Sequence, residues 1–436
     1  MTEIFLTIFF ITVLLFFLGS GIWVALSMIG VSAIGMMLFT SRPVGDAMAT
    51  TIWGTSSSWT LTALPLFVWM GEILFRTKLS ENLFRGLSPW MQRLPGGLIH
   101  VNVVGCALFA AISGSSAATV ATVGKMSIPE LRKRNYPEKI LLGSLAGSGT
   151  LGLLIPPSII LIIYGVAVQE SIAKLFIAGI LPGIMIALIF MSYVIIWSLL
   201  NKKQMPSITE DYSLVEKIKK SKQLLPVILL IFAVIGSIYT GIATATEAAS
   251  LGVIGALILS YFQKSLSLDT FKSSLLGATK TSCMIAFILA GSTFLSLAMG
   301  FTGLPRNLAI WIQDMNLSPY VLIFVLMIFY IILGMFLDGI SAVVLTMAII
   351  EPMIRQAGFD MIWFGIFLVI VVEMAQITPP VGFNLFVLQG MANRDMGFIA
   401  NSAFPLFLLM VLAVVLVVIF PEIALWMPEK MVQNLN

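Results

Sequence analysis

Residues 153–161 read LLIPPSIIL, which sets Pro156 and Pro157 side by side inside an apolar run from Leu141 to Val168. The run has the character of a membrane-spanning helix, but a proline lacks the backbone N–H and its ring clashes with the carbonyl four residues back. The helix must break here, leaving the carbonyls of Gly152 and Leu153 without their helical donors. In hydrocarbon each unpartnered carbonyl costs several kcal/mol. The same device recurs at 375–383, AQITPPVGF, where Pro379 and Pro380 free the carbonyls of Ala375 and Gln376.

The rest of the chain agrees with a membrane setting. It has 436 residues, 59% hydrophobic and 10% charged, against about 45–50% apolar and about 25% charged in a soluble domain. Apolar segments follow one another from Ile4 to Phe420, and a lipid-exposed backbone must be helical to satisfy its own hydrogen bonds. The expected segments are 4–18, 22–39, 59–75, 98–123, 140–168, 175–200, 224–239, 248–262, 283–300, 320–350, 362–391 and 398–420. Two further stretches, 79–92 and 304–314, mix apolar and charged residues and read as interfacial helices.

If 98–123 and 320–350 are re-entrant hairpins and the other segments cross, 19 of the 24 Lys and Arg fall on one side, as the positive-inside rule requires. Both termini then lie on the outer side. The net charge of +4 comes from connectors, not from a nucleic-acid surface. Cys106 and Cys283 make no disulfide framework, and His100 is the single histidine, so a His-rich metal site is excluded.

The two halves echo each other across the polar linker at 207–223. Pro129, Pro156, Pro157 and Pro182 recur 223 residues later as Pro352, Pro379, Pro380 and Pro405. Each double proline also follows a small, polar stretch: ISGSSAAT at 112–119 and FLDGISAV at 336–343, with Asp338 in the place of Ser115. Glycine and hydroxyl residues suit a hairpin tip where backbone turns at membrane depth inside protein. Inverted repeats with paired interruptions mark secondary transporters, whose unwound carbonyls coordinate Na⁺ and whose half-helix N-termini face anionic groups.

Other ionisable residues are few. Asp338 and Glu373 are close to the expected centre and count as functional candidates. Glu247 reads as a first-turn carboxylate or a functional group, Glu72 as solvated, and His100 as interfacial packing. Trp53, Trp59, Trp69, Trp90, Trp311 and Trp363 read as interface belts. There is no G-x-x-x-x-G-K-[ST] phosphate loop, no H-E-x-x-H and no G-x-S-x-G elbow, and GSGTLG at 147–152 lacks a βαβ setting. An intramembrane enzyme using Asp338 and Glu373 as a carboxylate pair remains the reading from another class.

The stretches AISGSSAATVATVG, GTLGLLIPPSIILIIYG, GIATATEAASLGVIGAL, GMFLDGISAV and ITPPVGFNLFVLQG, in this order over nearly the whole chain, resemble the large membrane subunit of the tripartite ATP-independent periplasmic (TRAP) transporters. The resemblance implies an all-α, inverted-repeat, elevator-type transporter of the bacterial inner membrane, with two re-entrant hairpins and two broken helices. It implies Na⁺ as coupling ion, no other cofactor, and no enzymatic activity. It also implies import of an organic acid of the sialic acid or C4-dicarboxylate type, with a separate small membrane subunit of about four spans and a periplasmic binding protein. A stand-alone Na⁺- or H⁺-coupled carboxylate symporter or antiporter is the alternative within the transporter class.

On this pattern the scaffold covers 1–96 and 224–319, the transport domain 97–200 and 320–427, with a cytoplasmic linker at 201–223 and a tail at 428–436. Carried over by motif, one sodium site uses Ser113, Ser116, Gly152, Leu153 and Pro156. The other uses Asp338, Gly339, Ala375, Gln376, Thr378 and Pro379. Ser115, Thr119, Ser158, Asp338 and Asn384 are the expected substrate contacts.

Overall fold

The computed structural model describes residues 2–77, 79–206, 212–305, 307, 310 and 318–435. Every regular element among them is helical, as a backbone in lipid demands. The first half holds α1 (Thr2–Gly19), α2 (Val24–Phe39), α3 (Val44–Ser56), α4 (Ala63–Phe75), α5 (Leu79–Met91), α6 (Ile99–Ser113), α7 (Ser116–Lys133), α8 (Glu138–Gly149), α9 (Leu151–Leu154), α10 (Ile159–Ala167) and α11 (Ile172–Leu200). The second holds α12 (Leu214–Ser221), α13 (Leu225–Tyr239), α14 (Ala245–Phe262), α15 (Leu268–Thr302), α16 (Pro319–Gly334), α17 (Gly339–Gln356), α18 (Met361–Gln376), α19 (Phe383–Ala392), α20 (Met396–Ile419) and α21 (Glu422–Leu435).

Among the described residues, α11, α14, α15, α17 and α20 are individually long and apolar enough to cross a membrane. Three bent pairs add to them, including the 138–154 segment with α10, bent by 42° at the first double proline. The interfacial stretch at 79–92 forms α5; its counterpart at 304–314 lies mostly outside the described residues.

Several helices depart from the expected segments: α3, α12 and α21 lie outside all of them, and α15 outruns its own. Ser267 caps α15 by accepting the Thr270 N–H at 3.0 Å, and the helix then runs 35 residues through Lys272 and Lys280, which read as connector charges in the sequence. At 1.5 Å per residue it is about 52 Å long, well beyond the roughly 30 Å hydrocarbon core. In addition, α21 runs through position 428.

The sequence repeat is a structural repeat. Helix α7 begins at 116 and ends at 133, and α17 begins at 339 and ends at 356, so both ends are offset by 223 residues. The cis peptides Pro156–Pro157 and Pro379–Pro380 keep the same offset. The copies differ where α3 and the following segment to Phe75 are bent by 51°, whereas the corresponding α15 is continuous.

The two copies interlock at the ends of their broken helices. Arg132, at the end of α7, donates to the carbonyl of Ala392 at the end of α19, at 2.6 Å. Its counterpart Arg355, at the end of α17, donates to the carbonyl of Val168 at the end of α10, at 3.0 Å. A cation on the last carbonyls of a helix satisfies an orphan acceptor and complements the helix dipole. Carboxylates orient both arginines: Glu138 binds Arg132 and Arg394 together, while Glu351 and Glu170 lie 3.0 and 3.6 Å from Arg355.

The tryptophans do not all form belts. Trp53 and Trp59 are exposed, but Trp363 is buried because its indole N–H donates to the Val417 carbonyl at 2.9 Å. Trp69 is part-buried and donates to the Ser274 hydroxyl at 3.3 Å, and Trp311 lies outside the described residues. His100 packs as expected, with Nε2 2.8 Å from the Pro95 carbonyl. Glu247 forms a capping box with Thr244.

Candidate functional site: a hairpin tip seated on a broken helix

The first tip is built from three consecutive small residues. Ser113 ends α6, Gly114 takes φ +58°, and Ser115 caps α7 by accepting the Ala118 N–H. The Thr119 hydroxyl bonds the Ser115 carbonyl at 2.8 Å and lies 2.9 Å from the Ser113 hydroxyl. Hydroxyls thus close the turn from within. Only glycine fits at 114, because a left-handed φ is strained for other residues and a Cβ there would lie 2.8 Å from the Pro157 carbonyl oxygen.

That last distance shows what the tip rests on. The Gly114 carbonyl accepts the Ile159 N–H at 3.4 Å, and a Cβ on Gly152 would lie 2.6 Å from the Ser115 carbonyl oxygen. Tip and break therefore meet backbone to backbone. Ser158 caps α10 and its hydroxyl donates to the carbonyl of Leu153, one of the two carbonyls freed by the prolines.

The second copy repeats the plan with different chemistry. Asp338 caps α17, its carboxylate accepting the N–H groups of Ile340 and Ser341 at 3.1 and 3.2 Å. The Val381 N–H reaches the Met335 carbonyl at 3.3 Å, joining tip to break. Thr378 donates its hydroxyl to Met374 and its N–H to Ala375, at 2.7 and 3.1 Å. Pro156 and Pro157 are buried, whereas Pro379, Pro380 and Asp338 are exposed.

One expectation needs correction. Of the four carbonyls freed by the prolines, Leu153 and Ala375 already have donors in the chain. They keep one lone pair each for a ligand, but their helical loss does not by itself demand a cation. A stronger demand comes from side chains. Glu373 is 1% exposed, and neither carboxylate oxygen has a hydrogen-bond partner. Asn384 is fully buried with both amide atoms unpartnered, and the Gln376 amide nitrogen is unpartnered too.

Two of these groups, Glu373 and Asn384, lie beside the first tip. The Ser116 hydroxyl faces Glu373, and the Asn384 amide lies 3.6 Å from where a Cβ on Gly149 would stand, one turn before Gly152. The second tip is close as well, since a Cβ on Gly339 would meet Val372, Ile160 and Leu153. Oxygen donors dominate. Among the described residues no group of three His, Cys, Asp or Glu could hold a transition metal, so the donor set fits a small hard cation.

A cavity of about 170 Å³ opens on the other side of the tip, between Ser113, Ser115 and Ala118 and the helices α4 and α15. Its α4 wall is Val68, Gly71, Glu72 and Phe75, and Thr281 closes it from α15. Glu72 is not simply solvated; it pairs with Arg76 at 2.8 Å.

The structure thus gathers Ser113, Ser115, Ser116, Gly152, Leu153 and Asn384 around the first tip and Asp338, Gly339, Thr378 and Pro379 around the second. Of the expected substrate contacts only Ser115 lines the cavity; Thr119 and Ser158 spend their hydroxyls on backbone carbonyls, and Asn384 lies behind the tip. The α4 wall escaped sequence reasoning, because one glycine in a membrane helix carries no signal of what it faces.

Comparison with known proteins supplies the family. The sequence model described as "Tripartite ATP-independent periplasmic transporter, DctM component" matches residues 9–423. The C4-dicarboxylate TRAP transporter large permease protein DctM of Pseudomonas aeruginosa is 32% identical, over 91% of this chain and 92% of that one. The sialic acid TRAP transporter large permease protein SiaM of Vibrio cholerae is 29% identical, over 94% and 96%. In fold, the crystal structure of the Alcanivorax borkumensis YdaH transporter superposes with a TM-score of 0.66 at 12% identity, covering 96% of this chain and 98% of that one. A model match of this extent, with a relative of this identity across about nine-tenths of both chains, places the chain among the DctM components, the large permease subunits of the tripartite ATP-independent periplasmic transporters.

Proposed function

We propose that this subunit imports an organic acid of the C4-dicarboxylate or sialic acid type by coupling it to inward Na⁺ movement. A separate small membrane subunit and a periplasmic binding protein work with it in the bacterial inner membrane, and both termini face the periplasm. The observation that carries the reading is the buried, unpartnered polar cluster behind the first tip, lying at membrane depth beside a cavity that the same tip lines.

In this reading Na⁺ supplies positive charge where the chain has only dipoles and the carboxylates of Asp338 and Glu373. The residues that would hold it are Ser113, Ser116, Gly152, Leu153 and Pro156 at the first tip, and Asp338, Gly339, Ala375, Gln376, Thr378 and Pro379 at the second. The backbone turns position the hydroxyls, and the Gly114 and Gly152 contacts exclude water from behind them. Inward movement of one net charge through 100 mV releases about 2.3 kcal/mol; two Na⁺ with a monoanion carry one net charge, enough for roughly fiftyfold accumulation, whereas with a dicarboxylate the charges cancel and the Na⁺ gradient supplies the drive.

The moving body comprises α6–α11 and α16–α20, with the α6–α7 and α16–α17 hairpins entering from opposite faces. It slides as an elevator against α1–α5 and α13–α15. The cavity at the α4 boundary and the two arginine links within the moving body support that division. The test is uptake in proteoliposomes containing the small subunit, with the binding protein loaded outside. Uptake should require Na⁺ and vanish when choline replaces it; uptake unchanged in choline would overturn the coupling.

A further inference from the structure

We infer that Glu373 is the anionic ligand of a monovalent-cation site behind the first hairpin tip, completed by the Ser116 hydroxyl and flanked by Asn384; the inference rests on the sodium reading above and adds a residue to it. Three observations converge. Glu373 sits in the last turn of α18, 1% exposed, and both its oxygens lack a partner. A buried carboxylate with no cation of the chain beside it is costly to hold ionised. The polar group that faces it is a neutral hydroxyl, Ser116, in the first turn of the hairpin arm α7.

The remaining charges of the neighbourhood are engaged elsewhere. Tyr330 on α16 is bonded to the Thr346 hydroxyl at 2.6 Å, and Asp338 caps its own helix. Tyr164 on α10 donates to the Met361 carbonyl. That carbonyl is at the opposite end of α18, twelve residues or about 18 Å away along the axis. Arg355, Glu351 and Glu170 form their own cluster. No cation of the chain compensates Glu373, so it either holds a proton or pairs with a cation from outside the chain, and the Na⁺ titration separates the two.

The placement gives the site a role. Ser116 is on the arm of the first copy and Glu373 is on the helix that precedes the break in the second. An ion bridging them ties the two copies across the centre, where Gly152 already brings the tip within van der Waals contact of the break. Oxygen donors suit a hard cation, and Na⁺ is the one that the proposed coupling supplies.

The experiment uses the purified full chain in detergent and follows its melting temperature in NaCl, KCl and choline chloride. The parent should be stabilised by NaCl in a saturable titration. Glu373→Gln should need at least tenfold more Na⁺ for the same rise, or lose the rise, and should melt higher than the parent in choline chloride because an uncompensated buried charge is gone. A residue with a merely structural role gives the opposite signs, a lower melting temperature in every salt with the Na⁺ titration unmoved. An E373Q titration that overlays the parent's overturns the inference while leaving the sodium reading standing. A parent that NaCl does not stabilise over choline chloride removes both. If E373Q does not fold, Glu373→Asp serves: the retracted carboxylate should shift the half-saturating Na⁺ several-fold with the same plateau, and an unmoved titration overturns the assignment.

Discussion

Replacing Gly152 by alanine tests the seating of the tip on the break. The added methyl would stand 2.6 Å from the Ser115 carbonyl oxygen and 2.7 Å from the Ser115 carbonyl carbon and the Ser116 Cα. Ordinary carbon–oxygen contacts are about 3.3–3.6 Å, so one backbone must retreat by about 0.7 Å. Overpacking of this kind costs about 1–3 kcal/mol, and the upper half of that range applies because the obstacle is backbone and not a mobile side chain. Alanine also gains up to about 1 kcal/mol of helix propensity over glycine, which blurs the reading of a single variant. Gly390 in α19 provides the control, since a Cβ there meets nothing within 4 Å. The difference in thermal stability between G152A and G390A in detergent thus isolates the contact. G152A should melt several degrees lower than G390A and lose Na⁺-dependent uptake, whereas G390A should melt at or above the parent. Equal melting with uptake preserved in G152A would refute the seating.

Other outcomes follow from single contacts. Arg132→Ala and Arg355→Ala should each lower stability by about 1 kcal/mol, a charge-assisted bond discounted for partial exposure, and the double variant should show additive loss in melting experiments because the two sites are far apart. Ser158→Ala removes both the cap of α10 and the donor to Leu153; a loss of about 2–4 kcal/mol is expected, read as a fall in melting temperature that exceeds either arginine variant. Thr281→Phe should fill the cavity between α15 and the first tip, abolishing uptake in proteoliposomes while leaving the Na⁺ stabilisation of the purified chain intact.

Much of the plan was legible in the sequence because prolines and glycines act through the backbone alone. The double prolines break their helices, although Pro129, Pro182, Pro352 and Pro405 sit inside unbroken ones, and ISGSSAAT and FLDGISAV dictate turns, so the offset of 223 residues could be read without any knowledge of packing. What stayed hidden depends on three-dimensional neighbours. Lys272 and Lys280 read as a connector although both are compatible with a helix that outruns the bilayer. Trp363 read as an interface residue because its indole partner, the Val417 carbonyl, is 54 positions away. The donation from Ser158 to Leu153 is local, yet it halves the demand that the first break makes on a ligand. Glu373 was recognisable as a charge at membrane depth, but its facing Ser116 required the fold.

The crossed arginines carry a consequence for how the polypeptide comes together. Because Arg132 closes the end of α19 and Arg355 closes the end of α10, neither duplicate finishes its own interrupted rod; each holds the missing stopper of its sibling. A chain severed after residue 206 should therefore yield two fragments that are incompetent when synthesised singly and that recover by complementation when made in one cell. The duplication thus enforces mutual dependence, and the ribosome must deliver the second fragment before the first can be complete.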